Sequence, residues 1–241
     1  MNKLILCEGK TDAILLSYYL QKTCGWAYHQ PLKNINIKAD DAKGESAYWY
    51  KKDNEFLLIC GVGGRDKFRS FFSEKLLPAI IDSDAFSKIA VVTDRDQKSE
   101  EEMITDLRRW FTPIITEVKN NSWVMNHYTN SYQMKVEVDV LMLLIPLGSQ
   151  GALETLLLEA ISEQVEDREI VTQSKEFVDK IQPLAKRYLA TQRLKLKSYL
   201  GVTWAIQSPE KVFSFIDEQL KSVKWEDSMV LAKCFQQLKG I

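Results

Sequence analysis

Leu4-Ile5-Leu6-Cys7-Glu8-Gly9-Lys10-Thr11-Asp12 is the stretch that decides the fold. Its first four residues are a short apolar run of strand length, and Gly9 permits a tight turn immediately after it. Thr11 then offers a cap for Asp12 to Lys22, whose apolar face predicts a helix. The pattern repeats downstream. Phe56-Leu-Leu-Ile-Cys60 reads as a second strand, ends in Gly61-Val62-Gly63-Gly64, and leads into a helix from about Arg65 to Leu77 that should stop near Pro78. Lys88 to Thr93 is a third strand running into Asp94-Arg95-Asp96, after which Ser99-Glu100-Glu101-Glu102 opens another helix. Strand and helix in alternation predict an α/β fold, a parallel sheet flanked by helices.

Residues 25–55 are rich in Trp, Tyr, Lys and Asp and suggest no definite element, while 121–147 read as one or two more strands. Gly148-Ser-Gln-Gly-Ala152 breaks the pattern. Beyond it Leu153 to Gly240 reads as helical, with boundaries near Pro183, Gly201 and Pro209. The expected organisation is therefore an α/β domain over 1–150 and a helical C-terminal region over 151–241 packing on it.

Ligands of open parallel sheets bind beyond the carboxyl ends of the strands. Glu8 follows the first strand and Asp94 and Asp96 follow the third. Two aspartates two residues apart on extended chain can both reach one hard cation. Magnesium, which takes few carboxylates and keeps several waters, suits so sparse a set. Mutual repulsion of clustered acids is relieved by such an ion.

Glu-Gly-Lys-x-Asp after an N-terminal strand, with Asp-x-Asp after a later one, resembles the Toprim domain of topoisomerases, primases and small nucleases over roughly residues 1–125. Gly63-Gly64-Arg65-Asp66-Lys67 and Gly151-Ala-Leu-Glu-Thr-Leu-Leu-Leu158 add a likeness to small stand-alone Toprim-related proteins of unknown function. The resemblance implies a magnesium-dependent step on nucleic acid, with Mn2+ as a substitute ion. It makes Glu8 a general acid or base, or a further metal ligand, and makes Asp94 and Asp96 the metal holders. No tyrosine is marked out as a strand-joining nucleophile, and the chain is short for a topoisomerase. Hydrolysis by a metal-activated water remains the leading expectation. The alternative is a non-catalytic Toprim-like module binding metal or nucleotide within a larger assembly, with a protein partner. A phosphatase for small esters fits less well: in dehalogenase-like enzymes Asp-x-Asp follows the first strand, and here that strand carries Glu8.

Other residues carry two readings each. Asp12 adds charge to the site as a second catalytic carboxylate, or merely favours the helix start. Glu154 is a third acid at the rim or an ordinary first-turn acid. Lys10 and Arg95 could meet phosphate, or could balance neighbouring acids; Arg65, Lys67 and Arg69, at a helix start after glycines, could receive phosphate but read better as a solvated helix face. Lys186-Arg187 and Arg193-Leu-Lys-Leu-Lys197 form the clearest basic cluster, a nucleic-acid contact or a soluble face. The aromatic residues between Trp26 and Tyr50 could stack on bases or pack in a core.

Composition sets the bounds. Thirty-two Lys and Arg against 33 Asp and Glu give a net charge of −1, which excludes a strongly basic coat protein but not a local basic surface. The N-terminal apolar run is too short for a signal peptide, and Val140 to Leu147 is too short to cross a bilayer, so a cytoplasmic location is expected. Cys7, Cys24, Cys60 and Cys234 show no Cys-x-x-Cys spacing, and His29 and His127 lack partners at metal spacing. Reduced thiols, rather than zinc, are expected.

Overall fold

The computed structural model describes residues 2–211, 220–221 and 223–241. Among the described residues seven strands form one sheet: β1 (Asn2–Cys7), β2 (Ala27–His29), β3 (Ser46–Lys52), β4 (Glu55–Gly61), β5 (Phe86–Asp94), β6 (Trp123–Thr129) and β7 (Lys135–Ile145). Their order is β2-β3-β4-β1-β5-β7-β6. The four central strands run parallel, and antiparallel partners close both edges. The parallel sheet read from the sequence is thus present. Residues 25–55, which suggested no element, supply the β2–β3 edge, and 121–147 supply two strands rather than one.

Alternation along the strands explains why both faces are covered. Leu58, Leu4, Ile89 and Val140 stand in one row across the sheet, and Ile59, Ile5, Ala90 and Leu141 stand in the next. The first row belongs to a core closed by Phe68, Phe72, Leu107 and Phe111. These come from α2 (Phe68–Phe71), the π-helical turn Phe72–Leu76, α4 (Glu100–Trp110) and its C-cap; α3 (Leu77–Ser83) continues that layer. The second row packs under α1 (Lys10–Cys24) and under the C-terminal helices α5 (Leu153–Ile161), α6 (Val165–Ile181), α7 (Gln192–Gln207) and α8 (Met229–Cys234). Leu16 and Tyr19 of α1 share this core with Leu156, Val171, Leu200 and Phe235. Each such aliphatic side chain taken from water stabilises the fold by about 1.5–3 kcal/mol. The helical C-terminal region therefore forms one face of the sheet's own core.

Three local expectations are corrected. Gly9, not Thr11, caps α1: its extended backbone starts the helix two residues early, and Asp12 Oδ2 accepts the Gly9 N–H at 2.7 Å. Pro78 does not end the helical segment after β4. The π turn precedes α3, and Pro78 occupies the first turn of α3, where a missing N–H costs little. Gly201 is no boundary but an interior residue of α7, its Cα open to solvent. The helix opened by Ser99 is as expected, with Ser99 and Glu102 bonded reciprocally. Part of the helical expectation for 153–240 falls on 212–219 and 222, outside the described residues.

β1 lies between β4 and β5, and the chain leaves it toward one side and returns on the other. This is the switch point at which an open sheet parts its loops and forms a crevice. Close approach there requires glycine: a Cβ on Gly61 would stand 2.6 Å from the Gly9 carbonyl oxygen and 2.7 Å from Ser46 Oγ. Gly61→Ala is expected to cost about 1–3 kcal/mol as overpacking, read as a lower urea midpoint at unchanged slope. A midpoint equal to wild type would show that the loops at this end give way easily.

Candidate functional site

The carboxyl ends of the parallel strands bring Glu8, Asp94 and the N-terminus of α5 to one rim. Strand parity sets the faces. Glu8 continues the row of Leu4 and Leu6, and Thr93 continues that of Ile89 and Val91, so the two meet on the same side. Glu8 is buried and gathers four donors on one oxygen, Oε1. They are Arg65 Nε at 2.9 Å, Arg65 Nη2 at 2.8 Å, the Asp94 N–H at 3.1 Å and the Thr93 hydroxyl. Among the described residues no donor reaches its second oxygen. Asp94, one residue on, faces the other side, where Oδ1 accepts the Leu153 N–H at 2.9 Å from the first turn of α5.

Glu8, Lys10, Asp12, Asp94 and Glu154 line one cavity of about 200 Å³ together with Arg193 and Lys197 of α7. Glu154 pairs with Lys197 at 2.8 Å. Burial first, then the charges of Glu8, Asp12 and Glu154, push the Asp94 carboxyl up to about 8. Burial and Glu8 likewise raise Asp12 to about 6, against the lowering effect of the Gly9 N–H. The cavity is therefore a place where negative charge is crowded and carboxylates hold protons.

Asp96 stands apart from that crowd. Its backbone has φ 51° and bridges to Gly151, with its N–H on the Gly151 carbonyl at 2.7 Å. Its carboxylate meets Arg65 Nη1 at 2.9 Å. Arg65 also donates to the Asp94 carbonyl oxygen, so one guanidinium ties the ends of β1 and β5 together. Its partners are two carboxylates and a carbonyl, where the sequence had suggested phosphate or a solvated face. Lys10 is exposed at the acidic cavity. Arg95 lines neither that cavity nor the next, and its N–H holds the Ile145 carbonyl at 2.8 Å. Lys67 and Arg69 are exposed, the solvated face that their spacing suggested.

Sequence reasoning missed Thr93 and Leu153; it singled out Arg193 and Lys197 as a basic cluster without placing them beside the carboxylates. Thr93 was legible from parity alone, because its strand pairs Val91 with Leu6 and places it beside Glu8. Leu153 acts through its backbone, which no side-chain motif reports.

The donor set suits a hard cation. Every candidate ligand is a carboxylate oxygen, and Asp94 and Glu154 each spend one oxygen on a protein partner. Among the described residues no three His, Cys, Asp or Glu are gathered into a ready-made cage. Magnesium, held by few carboxylates and several waters, fits such a wall better than zinc does. Asp94, Asp12 and Glu154 are the side chains that would hold it, and the ion would supply positive charge and an acidified water.

The family model for a protein of unknown function (DUF3226) matches residues 2–237. The chain belongs to that family. No curated protein matches this DUF3226 chain. Among solved structures it is similar to the crystal structure of hypothetical protein PH0156 from Pyrococcus horikoshii OT3, at 17% identity and a TM-score of 0.47, covering 98% of this chain and 99% of that one. Among the described residues no helix is long and apolar enough to cross a membrane.

Proposed function

We propose that this chain is a Toprim-like, magnesium-dependent hydrolase of nucleic-acid phosphodiesters, with Mn2+ able to replace Mg2+. One observation carries the reading: Glu8, Asp12, Asp94 and Glu154, from three separate elements and a strand end, line one small cavity faced by Arg193 and Lys197. The acids call for a cation, and the bases beside them suit a phosphate. In this reading Asp94 binds the ion, and Asp12 and Glu154 complete the acidic wall. Glu8, fixed by Arg65 and Thr93, keeps one oxygen for proton transfer at the cavity. Asp96 acts at one remove, by holding Arg65. The four free cysteines accord with a cytoplasmic location.

The arrangement of Arg65 favours a second reading, a non-catalytic module within a larger assembly. One cation already satisfies Glu8 and Asp96, so the rim could bind metal or nucleotide without turning it over. Magnesium-dependent cleavage of DNA or RNA by pure protein, lost in Asp94→Asn, would exclude the module. Absence of cleavage with saturable magnesium heat would exclude the hydrolase.

Glu8→Gln tests the role of Glu8 itself. Glutamine keeps an acceptor oxygen for Arg65, Thr93 and the Asp94 N–H but cannot carry a proton between groups. Turnover is expected to fall by about 100- to 10,000-fold while the circular dichroism spectrum stays that of wild type. Undiminished turnover would remove Glu8 from the chemistry.

A further inference from the structure

We infer that the larger cavity beside the carboxylates holds a phosphate flanking the one at the acidic wall, so that the ligand is a nucleic-acid chain and not a small phosphate ester. The inference rests on the proposed function and adds to it a second phosphate position along the chain. A cavity of about 630 Å³ adjoins the acidic one of about 200 Å³. Arg193 borders both. The larger wall carries Arg65, Lys98 and Arg193, with Gln150, Thr155 and Thr191 among its neutral donors. Among the described residues its one acid is Asp96, already bonded to Arg65 at 2.9 Å.

Lys98 pairs with Asp106 at 2.7 Å, while exposed Arg193 has no acidic partner among the described residues. A cationic, hydrogen-bonding hollow next to an acidic one is what a chain of phosphates needs. One phosphate lies where the cation is held, and its neighbour lies where the guanidinium is free. A monoester would occupy the small cavity and leave the basic one without a partner. Among the described residues no aromatic side chain lines either cavity, so bases find no stacking platform there. Contact falls on the sugar-phosphate backbone without regard to sequence.

The test is calorimetric titration with oligothymidylates of two and of six nucleotides, with Ca2+ in place of Mg2+ so that the acidic cavity keeps a cation. The oligonucleotide is checked by electrophoresis to be intact, so that binding is read apart from hydrolysis. Wild type is expected to bind the longer chain more than tenfold tighter. Arg193→Gln/Lys98→Gln should erase that difference and flatten the salt dependence by about 0.7 in log–log slope for each phosphate no longer neutralised. Lys22→Gln, exposed in the last turn of α1, should behave as wild type. Equal affinity of wild type for both lengths, or a double variant that keeps the wild-type difference, overturns the inference. If the difference is lost in the double variant and wild type still cleaves nothing in magnesium, the flanking site stands and the hydrolase reading falls.

Discussion

Asp94→Asn is expected to make the metal-free protein more stable near neutral pH while abolishing its response to magnesium. The folded protein holds the Asp94 carboxyl up to about 8 and that of Asp12 up to about 6, against an ordinary 3.8 in the unfolded chain. Between those values the folded state binds more protons than the unfolded one, so stability falls as pH rises. It is fully present below about pH 4 and is lost progressively up to about pH 8. A carboxyl held tenfold less acidic than in the unfolded chain accounts for about 1.4 kcal/mol, so the fall amounts to several kcal/mol at most. Asparagine cannot ionise, and its carbonyl oxygen can still accept the Leu153 N–H, so the variant keeps the hydrogen bond without the charge.

In EDTA, wild type should melt lower at about pH 8 than at about pH 5, and Asp94→Asn should show a much smaller drop. Magnesium at the higher pH should raise the wild-type melting temperature, because a ligand of the folded state stabilises it by mass action, and should leave the variant where it was. A wild-type melting temperature that is level across this range in EDTA would contradict the crowding of acids at the rim. A variant that responds to magnesium as wild type does would remove Asp94 from the metal.

Arg65→Met should have the opposite effect on stability. Arg65 and Glu8 side chains are 17% and 9% exposed, and the guanidinium reaches Glu8, Asp96 and the Asp94 carbonyl at once. Deleting it leaves Glu8 buried without its counter-charge, a change that costs about 3–5 kcal/mol. At about 2–4 °C per kcal/mol for a chain of this size, the melting temperature should fall by roughly 10 °C. Most of that cost is the stranded charge. Arg65→Met/Glu8→Gln should therefore be less unstable than the sum of its single variants, by about 1 kcal/mol or more. A single variant that melts within a degree or two of wild type would show that Glu8 finds another partner.

The sequence made the parallel sheet legible because its strands are short apolar runs ending in Glu8, Gly61 and Asp94, and the rim follows from where those runs stop. It did not show the edge hairpin of β2 and β3, whose residues pair across the sheet without marked alternation of their own. It placed Pro78 at a helix end because the preceding π turn has no signature in residue order. Asp94 and Asp96 looked like twin ligands of one ion. A left-handed backbone at Asp96 sends its carboxylate to Arg65 instead, and that outcome depends on Gly151, far along the chain. Arg65 itself read as a phosphate contact or a solvated side chain because nothing local reveals that Glu8 lies 57 positions earlier and within its reach.

The rim also has an order of assembly. Glu8, Asp12 and Asp94 are made early in synthesis, but the Leu153 N–H that fixes Asp94 lies 59 residues later, with Glu154 next to it and Arg193 and Lys197 later still. The sheet face beneath α1 stays open until the C-terminal helices arrive, and Lys88 is bonded to the Gly240 carbonyl 152 positions away. A nascent chain carries these three carboxylates long before the residues that complete the cavity around them. Contacts of such long range form slowly, so the helical region from Leu153 onward governs when the strand ends at Glu8 and Asp94 become competent.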